Sequence, residues 1–305
     1  MSENPIETSD VLPPAPPPLV ETTGAYELAD GVWVIPDRRI NLVPNIGIIL
    51  GEDAALVVDT AMGPGNAARV LEKARELAGD RRLLLTLTHF HPEHGYGAQV
   101  FRSEATILYN RAQLEELREK GAPYLELFRG FGPDVAAALE DVELVEPHVV
   151  YDGGADVDLG GRRVELRSWG LAHTRGDQVA FLPDERILFA GDLVENRFFP
   201  IFPWFPPEDA DVNGSRWIEV LERLEGLEPA TVVPGHGEVG DVSLVAGASE
   251  YIAALRDDVR RSGAPDADAL VAELEPRFRA RYTEWDNPEW IAFAIRCLRT
   301  ESVAT

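Results

Sequence analysis

A histidine-rich turn that directly follows a predicted buried strand constrains this chain more than any other feature. Three of the six histidines fall within six positions, in the sequence His89-Phe90-His91-Pro92-Glu93-His94. His89 and His91, two residues apart in a turn, direct their imidazoles toward one point, and Glu93 and His94 face a neighbouring point. Imidazoles and carboxylates are the ligands of zinc and other divalent first-row metals. The spacing predicts a metal centre at the end of this strand.

Three further polar residues occur in the same context, at a strand end or in a turn next to glycine. They are His173, Asp192 and His236. Neighbouring glycines allow the backbone to turn sharply and to approach a metal closely. Layered α/β folds assemble their sites at such turns. Only His148 lies outside these contexts, and we interpret it as structural.

The hydrophobic pattern predicts how these turns are arranged. Strands are predicted at residues 45–50, 54–59 and 83–88, and the apolar positions of 67–78 repeat with the period of a helix. A strand–helix–strand order is typical of a layered α/β domain. Residues 149–188 read as β-rich, and the chain is mostly helical from about Leu244.

Three segments follow from this pattern. We predict a disordered, proline-rich tail over residues 1–23, because the PPAPPP run has almost nothing to bury. Residues 24–245 are expected to form the main domain. Residues 246–305 are expected to form a helical C-terminal extension packed on that domain.

Composition excludes several classes of protein. With 28 Lys+Arg against 53 Asp+Glu, the net charge of −25 argues against a nucleic-acid partner. No apolar run approaches the ~20 residues of a membrane span. The N-terminus lacks the basic and apolar regions of a secretory signal, which predicts a cytoplasmic protein. The single cysteine, Cys297, permits neither an intrachain disulfide nor a thiolate metal cluster.

In the order and spacing of these motifs, the chain resembles the metallo-β-lactamase superfamily over roughly residues 24–245. The resemblance implies an α+β fold, the four-layer αβ/βα sandwich, with a two-metal site between its sheets. By the family pattern, His89, His91 and His173 hold the first metal. The second metal is held by Glu93, His94 and His236, and Asp192 bridges both ions.

One position departs from the family pattern. Most members have aspartate where this chain has Glu93, and the additional methylene moves the carboxylate by about 1.5 Å. Such a shift alters the affinity for the second metal or favours a single ion. We therefore predict two zinc ions, with one iron or manganese ion as the alternative.

The resemblance implies a hydrolase that acts on a small molecule. A hydroxide shared by the metals would attack an ester, thioester, lactone or amide bond, and Glu93 or Asp192 would orient it or relay its proton. One alternative is a mononuclear iron oxidoreductase that acts on a sulfur compound. A β-lactamase-like amide hydrolase and a metal-binding protein without turnover are further alternatives.

Three features outside the metal ligands also have alternative interpretations. The aromatic and proline-rich run at residues 198–207 either forms the wall of an apolar substrate pocket, makes a homodimer contact or packs a loop onto the domain. Asp59, at the end of its strand, either supports a metal ligand or has a structural role. Thr174 either supports the metal site or closes a turn.

Overall fold

The structure is a computed structural model that describes residues 16–206 and 209–303. A seven-stranded sheet is formed mainly by the first half of the chain. Its strands lie in sequence order, and the first four are antiparallel whereas the last four are joined by parallel pairings. They are β1 (Tyr26–Ala29), β2 (Val32–Ile35), β3 (Ile46–Leu50), β4 (Ala54–Val58), β5 (Arg82–Thr86), β6 (Ala105–Asn110) and β7 (Val149–Tyr151).

A five-stranded sheet follows in the chain. Its order is β12-β11-β10-β9-β8, antiparallel except for the parallel pair β11–β12. Its strands are β8 (Gly154–Asp158), β9 (Arg163–Arg167), β10 (Val179–Leu182), β11 (Ile187–Gly191) and β12 (Thr231–Pro234).

Eight α-helices lie within the described residues. The first three are α1 (Gly63–Ala78), the short α2 (Pro92–Gly95) and α3 (Arg111–Arg129). The others are α4 (Pro133–Ala138), α5 (Gly214–Glu225), α6 (Ser243–Arg261), α7 (Ala267–Arg281) and α8 (Trp290–Val303). None of these helices combines the length and the apolar character that crossing a membrane requires.

The alternation of side chains along the strands produces four layers. In β3, Ile49 packs with the second sheet, whereas its neighbour Ile48 packs with the helices that cover the first sheet. In β11, Phe189 lies between the sheets, and Leu188 packs under the C-terminal helices α5 to α8. Successive residues of a strand point to opposite faces, so each sheet is buried on both sides. The predicted α+β sandwich with a helical C-terminal region is confirmed.

One local feature differs from the sequence-based expectations. The predicted tail lies outside the described residues at positions 1–15, but Val20 is fully buried and its N–H donates to Asn66 Oδ1 of α1 at 3.0 Å. The packed chain therefore begins before Gly24. Helix α3 continues to Arg129 although it contains Pro123. Burial of Tyr124 and Phe128 stabilises this second half of the helix.

Candidate metal centre

Two neighbouring groups of ligand-forming side chains lie at the ends of strands from both sheets. His89, His91 and His173 form the three-histidine group; Glu93, His94, Asp192 and His236 form the mixed group. Within each group, one possible ligand atom per residue lies within 4.8 Å of all the others. All seven side chains are buried. The structure thus brings together every residue that the sequence predicts for the centre, and their role as metal ligands stays a prediction.

Asp192 belongs to the mixed group and also lies close to the three-histidine group. Its Oδ1 is 3.1 Å from His94 Nε2, and its Oδ2 is 3.9 Å from His173 Nε2 and 3.7 Å from His236 Nε2. Asp192 follows β11 directly. A side chain within reach of histidines from both groups matches the bridging position that the family resemblance implies.

The carboxylate of Asp59 orients the imidazole of His94 through a hydrogen bond at Nδ1. Asp59 Oδ2 accepts a hydrogen bond from His94 Nδ1 at 2.9 Å and another from Thr88 Oγ1 at 2.9 Å. Asp59 has a left-handed backbone with φ of 71°, which aspartate adopts more readily than most residues. The bond at Nδ1 fixes the imidazole tautomer and leaves Nε2 to face the centre. This supports the interpretation of Asp59 as the partner of a metal-binding histidine.

Backbone carbonyls fix two more imidazoles in the same way. His173 Nδ1 donates to the carbonyl of Ile201 at 2.8 Å, and His236 Nδ1 donates to the carbonyl of Val43 at 3.1 Å. Each bond places the proton on Nδ1 and makes Nε2 an acceptor; Nε2 of His236 has no hydrogen-bond partner, whereas Nε2 of His173 lies 3.2 Å from His91 Nδ1. The orientation of these rings is therefore set before any cation binds.

The buried environment keeps the three-histidine group neutral. Burial is the main cause that lowers the pKa of His89 and His91 well below 6.5, and it lowers the pKa of His173 to about 4. A neutral imidazole is the form that binds a metal. In the mixed group, burial raises the pKa of Glu93 to about 7.

The opposite charges of the mixed group are strongly coupled. Burial disfavours the imidazolium of His94, but Asp192 and Asp59 outweigh burial and raise its pKa well above 6.5. Burial likewise disfavours the Asp192 carboxylate, but His94 and His236 hold its pKa well below 3.8. The pocket between these side chains stabilises positive charge next to Asp192.

Buried atoms without hydrogen-bond partners identify where a cation fits. Among the described residues, these atoms include Nε2 of His89, His94 and His236, Oε2 of Glu93 and both carboxylate oxygens of Asp192. Buried polar atoms without partners are costly, and this set consists of metal-ligand atoms. The donor set therefore fits divalent metal ions, and Glu93 reaches the mixed group despite its additional methylene.

The loop that carries His236 needs glycine and two buried polar supports. A Cβ added at Gly235 would lie 1.9 Å from Asp192 Oδ1, so no larger residue fits there. Asn45 Nδ2 donates to the carbonyls of Pro234 and Gly237 at 2.9 and 2.7 Å, and Asp37 Oδ2 accepts from the Gly237 N–H at 2.8 Å. Sequence reasoning missed Asn45 and Asp37, because neither belongs to a recognisable motif.

A buried charged cluster behind His91 was also missed. The ring of Tyr124 stacks on His91 at 5.0 Å, and its hydroxyl donates to Asp209 Oδ2 at 2.7 Å. Lys120 Nζ lies 2.9 Å from Asp209 Oδ1 and 3.0 Å from Glu116 Oε1. Helix α3 therefore contacts both the metal centre and the loop that follows β11. The apolar and charged residues of α3 alternate as on any amphipathic helix, which gives no signal of this role.

An apolar cavity, here called the chamber, opens in front of the metal centre. Water-sized molecules can occupy about 50 Å³ of it, and His91, Glu93 and His236 are among the residues that line it. Its walls come from residues 40–42, 124–131, 198–205 and 287–290. No lysine or arginine lines it within the described residues. The chamber thus presents an uncharged wall to whatever reaches the metal centre.

The aromatic run combines two of its three proposed roles. Phe198 and Phe205 line the chamber, whereas Phe199 and Phe202 are fully buried in the core with the C-terminal helices. Pro207 lies outside the described residues, and a homodimer contact stays a prediction. The last helix also contributes to the chamber, through Trp290.

Two other predicted residues have structural roles. His148 Nδ1 accepts from the N–H of Ile107 at 3.0 Å, away from the centre, as the structural interpretation requires. Thr174 Oγ1 donates to Asp177 Oδ1 at 2.6 Å and so closes a turn. Neither residue belongs to the two ligand groups.

Comparison with known proteins agrees with this geometry. Residues 40–236 match the sequence model of the Metallo-beta-lactamase superfamily. The acyl-coenzyme A thioesterase MBLAC2 of Gallus gallus is 28% identical over 251 residues, which cover 74% of this chain and 84% of that protein. The type 2 metallo-beta-lactamase of Bacillus cereus is 26% identical over 232 residues, covering 73% and 80%.

Solved structures show the same fold. A metallo-beta-lactamase from Pontibacter korlensis superposes with a TM-score of 0.60 at 18% identity, covering 75% of this chain and 98% of that chain. At this identity the likeness concerns the fold alone. The family match, which spans most of the chain and contains every residue of the two ligand groups, establishes membership. The chain belongs to the metallo-beta-lactamase superfamily of metallo-hydrolases.

Proposed function

We propose that this protein is a binuclear zinc hydrolase that cleaves thioesters of apolar acyl groups. The observation that carries the proposal is the position of the chamber, whose lining includes His91, Glu93 and His236 of the two ligand groups. An acyl chain buried in the chamber would place its carbonyl carbon at the metal centre. The similarity to an acyl-coenzyme A thioesterase supports a coenzyme A thioester as the substrate.

The roles of the ligand residues follow from their positions. The three-histidine group would hold one ion and the mixed group the other, with Asp192 shared. Two bound ions supply Lewis acidity for a carbonyl oxygen and lower the pKa of water toward ~7. Glu93 would bind the second ion through Oε2, which is buried and without a hydrogen-bond partner, and its other carboxylate oxygen would accept the proton released when water attacks the thioester.

The chamber walls contribute binding and exclude water. Burial of apolar acyl surface contributes about 25 cal/mol per Å². The side chains of Tyr124, Phe128 and Phe131 cover one side of the chamber. A β-lactam carries a carboxylate that needs a cationic partner, and the lining offers no lysine or arginine. This favours thioester over β-lactam hydrolysis.

The test begins with elemental analysis of protein purified without added metal. We expect about two zinc ions per chain, as in other two-metal hydrolases. Release of thiol from octanoyl-coenzyme A is then measured before and after dialysis against a chelator. Hydrolysis that disappears with the metal and returns with zinc supports the proposal. One iron ion per chain with oxygen consumption would replace it by the oxidoreductase alternative.

The variant Glu93→Asp tests the mixed group separately. Shortening the side chain withdraws its carboxylate by about 1.5 Å. We expect affinity for one of the two zinc ions to fall about 10–100-fold while the other is retained. Competition with a chelator measures both affinities. Unchanged affinities for both ions would exclude Glu93 as a ligand.

A further inference from the structure

The chamber adjoins a second cavity of different character, here called the groove. The two cavities share Asn41, Phe198 and Asn287 in their linings, so they lie side by side. The remaining groove residues include Arg39 and Arg279 together with Tyr282 and Trp285. The mainly apolar chamber at the metal centre thus adjoins a groove that carries charged and aromatic side chains.

The charge of Arg39, one of the residues that line the groove, is used in contacts within the protein. Its guanidinium lies 4.4 Å from the ring centre of Phe198, and it forms ion pairs with Asp286 at 2.6 Å and Glu238 at 2.9 Å. It also donates to the carbonyl of Arg197 at 3.1 Å. These carboxylates neutralise the charge of Arg39.

Arg279 is the other cation of the groove. It makes no ion pair within 4.0 Å anywhere in residues 16–206 and 209–303, and it is exposed. Glu289 also lines the groove, but it forms no ion pair with Arg279 within 4.0 Å. On a chain with a net charge of −25, an anion binds only where a cation is locally unopposed. Arg279 provides that cation.

Two aromatic rings lie next to this charge. Tyr282 and Trp285 are half-buried, and their ring centres are 4.5 Å apart. Trp285 is held in place by Phe199 and Tyr251, each with its ring centre 5.5 Å away. Rings that are already fixed lose little entropy when a planar ligand packs against them. Aromatic surface next to an arginine suits a ligand with both a flat ring and a negative charge.

We propose that the groove binds the leaving group of the substrate, and that this group is a phosphorylated nucleoside attached to the thiol. The acyl chain enters the chamber, the thioester lies at the metal centre, and the phosphate-bearing part extends past Phe198 to Arg279. This inference rests on the proposed thioesterase function for the identity of the bond cleaved. It adds a binding site that the reaction itself does not require.

The test measures binding of two thiols by isothermal titration calorimetry of the full-length protein. Coenzyme A and pantetheine carry the same thiol arm, and only coenzyme A carries the phosphorylated nucleoside. Any contact between the thiol and a bound metal is therefore common to both. We expect coenzyme A to bind more tightly than pantetheine to the unmodified protein.

Two arginine variants on helix α7 locate the site. Arg279→Gln is expected to weaken coenzyme A binding roughly tenfold and to leave pantetheine binding unchanged, because one charge-assisted contact is lost. Arg277→Gln is the matched control. Arg277 is exposed on the same helix, pairs with Asp258 at 3.1 Å and does not line the groove. It is expected to bind both thiols as the unmodified protein does.

The outcomes separate this inference from the proposed function. Equal affinities for coenzyme A and pantetheine, or equal losses in the two arginine variants, would overturn the groove as a nucleotide site. If octanoyl-pantetheine is still hydrolysed in that case, the thioesterase function stands without it. Tight, Arg279-dependent binding of coenzyme A without thioester hydrolysis would instead support the groove and contradict the proposed chemistry.

Discussion

The metal centre and the chamber lie side by side, but the chain builds them in different ways. The centre consists of side chains in short turns after strands, and hydrogen bonds at Nδ1 orient His94, His173 and His236. The chamber wall comes from four segments that are distant in sequence and meet only by packing. The ligand-forming groups are therefore encoded locally in this molecule, whereas the shape of the chamber depends on the complete fold.

This difference separates the expected effects of substitutions. A change in the centre should slow the hydrolysis of every substrate, because each one reacts there. A change in the chamber wall should act in proportion to the apolar surface that a substrate buries. A variant of the chamber wall that slowed the hydrolysis of all substrates equally would contradict this distinction between the two regions.

The largest effect is expected for Asp192→Asn, which keeps the size of the side chain and removes its charge. Asp192 lies within 3.9 Å of His94, His173 and His236. We expect kcat to fall on the order of a thousandfold for short and long acyl thioesters alike. Metal content and kcat are measured together. Asp241→Asn, on an exposed turn where the side chain accepts from the Ser243 N–H, serves as the control.

Equal losses across substrates are the critical part of this prediction. If Asp192→Asn retained both metals and its activity, the bridging role implied by the family pattern would be wrong. If it lost activity only on long acyl chains, Asp192 would belong functionally to the chamber.

The same distinction explains how much the sequence could predict. The seven ligand-forming residues lie in recognisable turns next to glycine or proline, and the alternation of strands and helices predicted the layered fold. Tyr124, Asp209 and Asn45 were missed because their contacts join segments far apart in the chain. No local pattern records such contacts, since an amphipathic helix like α3 looks the same whatever it packs against.

The buried cluster around Lys120 connects the two regions and allows a second prediction. Lys120→Met leaves Asp209 buried without its cation and leaves Glu116 with Arg175 alone, 3.6 Å away. We expect the free energy of unfolding in urea to fall by about 3–5 kcal/mol. Lys73, the only other lysine, forms an ion pair with Glu76 at the surface of α1, so Lys73→Met should change stability by less than about 0.5 kcal/mol.

The pH dependence of stability gives this prediction a second readout. Burial lowers the pKa of Lys120, but Glu116 and the neighbouring aspartates outweigh burial and raise it above 10.5. The stabilisation is therefore complete below the unfolded-state pKa of about 10.4 and is lost as the pH rises through the raised folded-state value. Lys120→Met should abolish this alkaline loss. Equal stability of the two lysine variants would show that the cluster is not a structural link.

The smallest effect is expected in the chamber wall, for Phe131→Ala. Phe131 lies between α3 and α4, is half-buried and contacts the ring of Phe128 at 4.8 Å, so its removal enlarges the chamber without touching the metal centre. Loss of part of an aromatic contact costs about 1–1.5 kcal/mol, which lowers kcat/KM roughly tenfold for octanoyl-coenzyme A. Acetyl-coenzyme A buries too little surface to be affected.

The ratio of kcat/KM for the two substrates is the decisive quantity. It cancels differences in metal content or in the fraction of folded enzyme, because both substrates are measured on one preparation. The ratio should fall roughly tenfold in Phe131→Ala and remain constant in Tyr26→Ala, which removes an exposed aromatic ring from the edge strand β1. An unchanged ratio in Phe131→Ala would mean that the acyl chain does not occupy the chamber. Selectivity and chemistry would then both reside in the metal centre, and the division between the two regions would concern their construction alone.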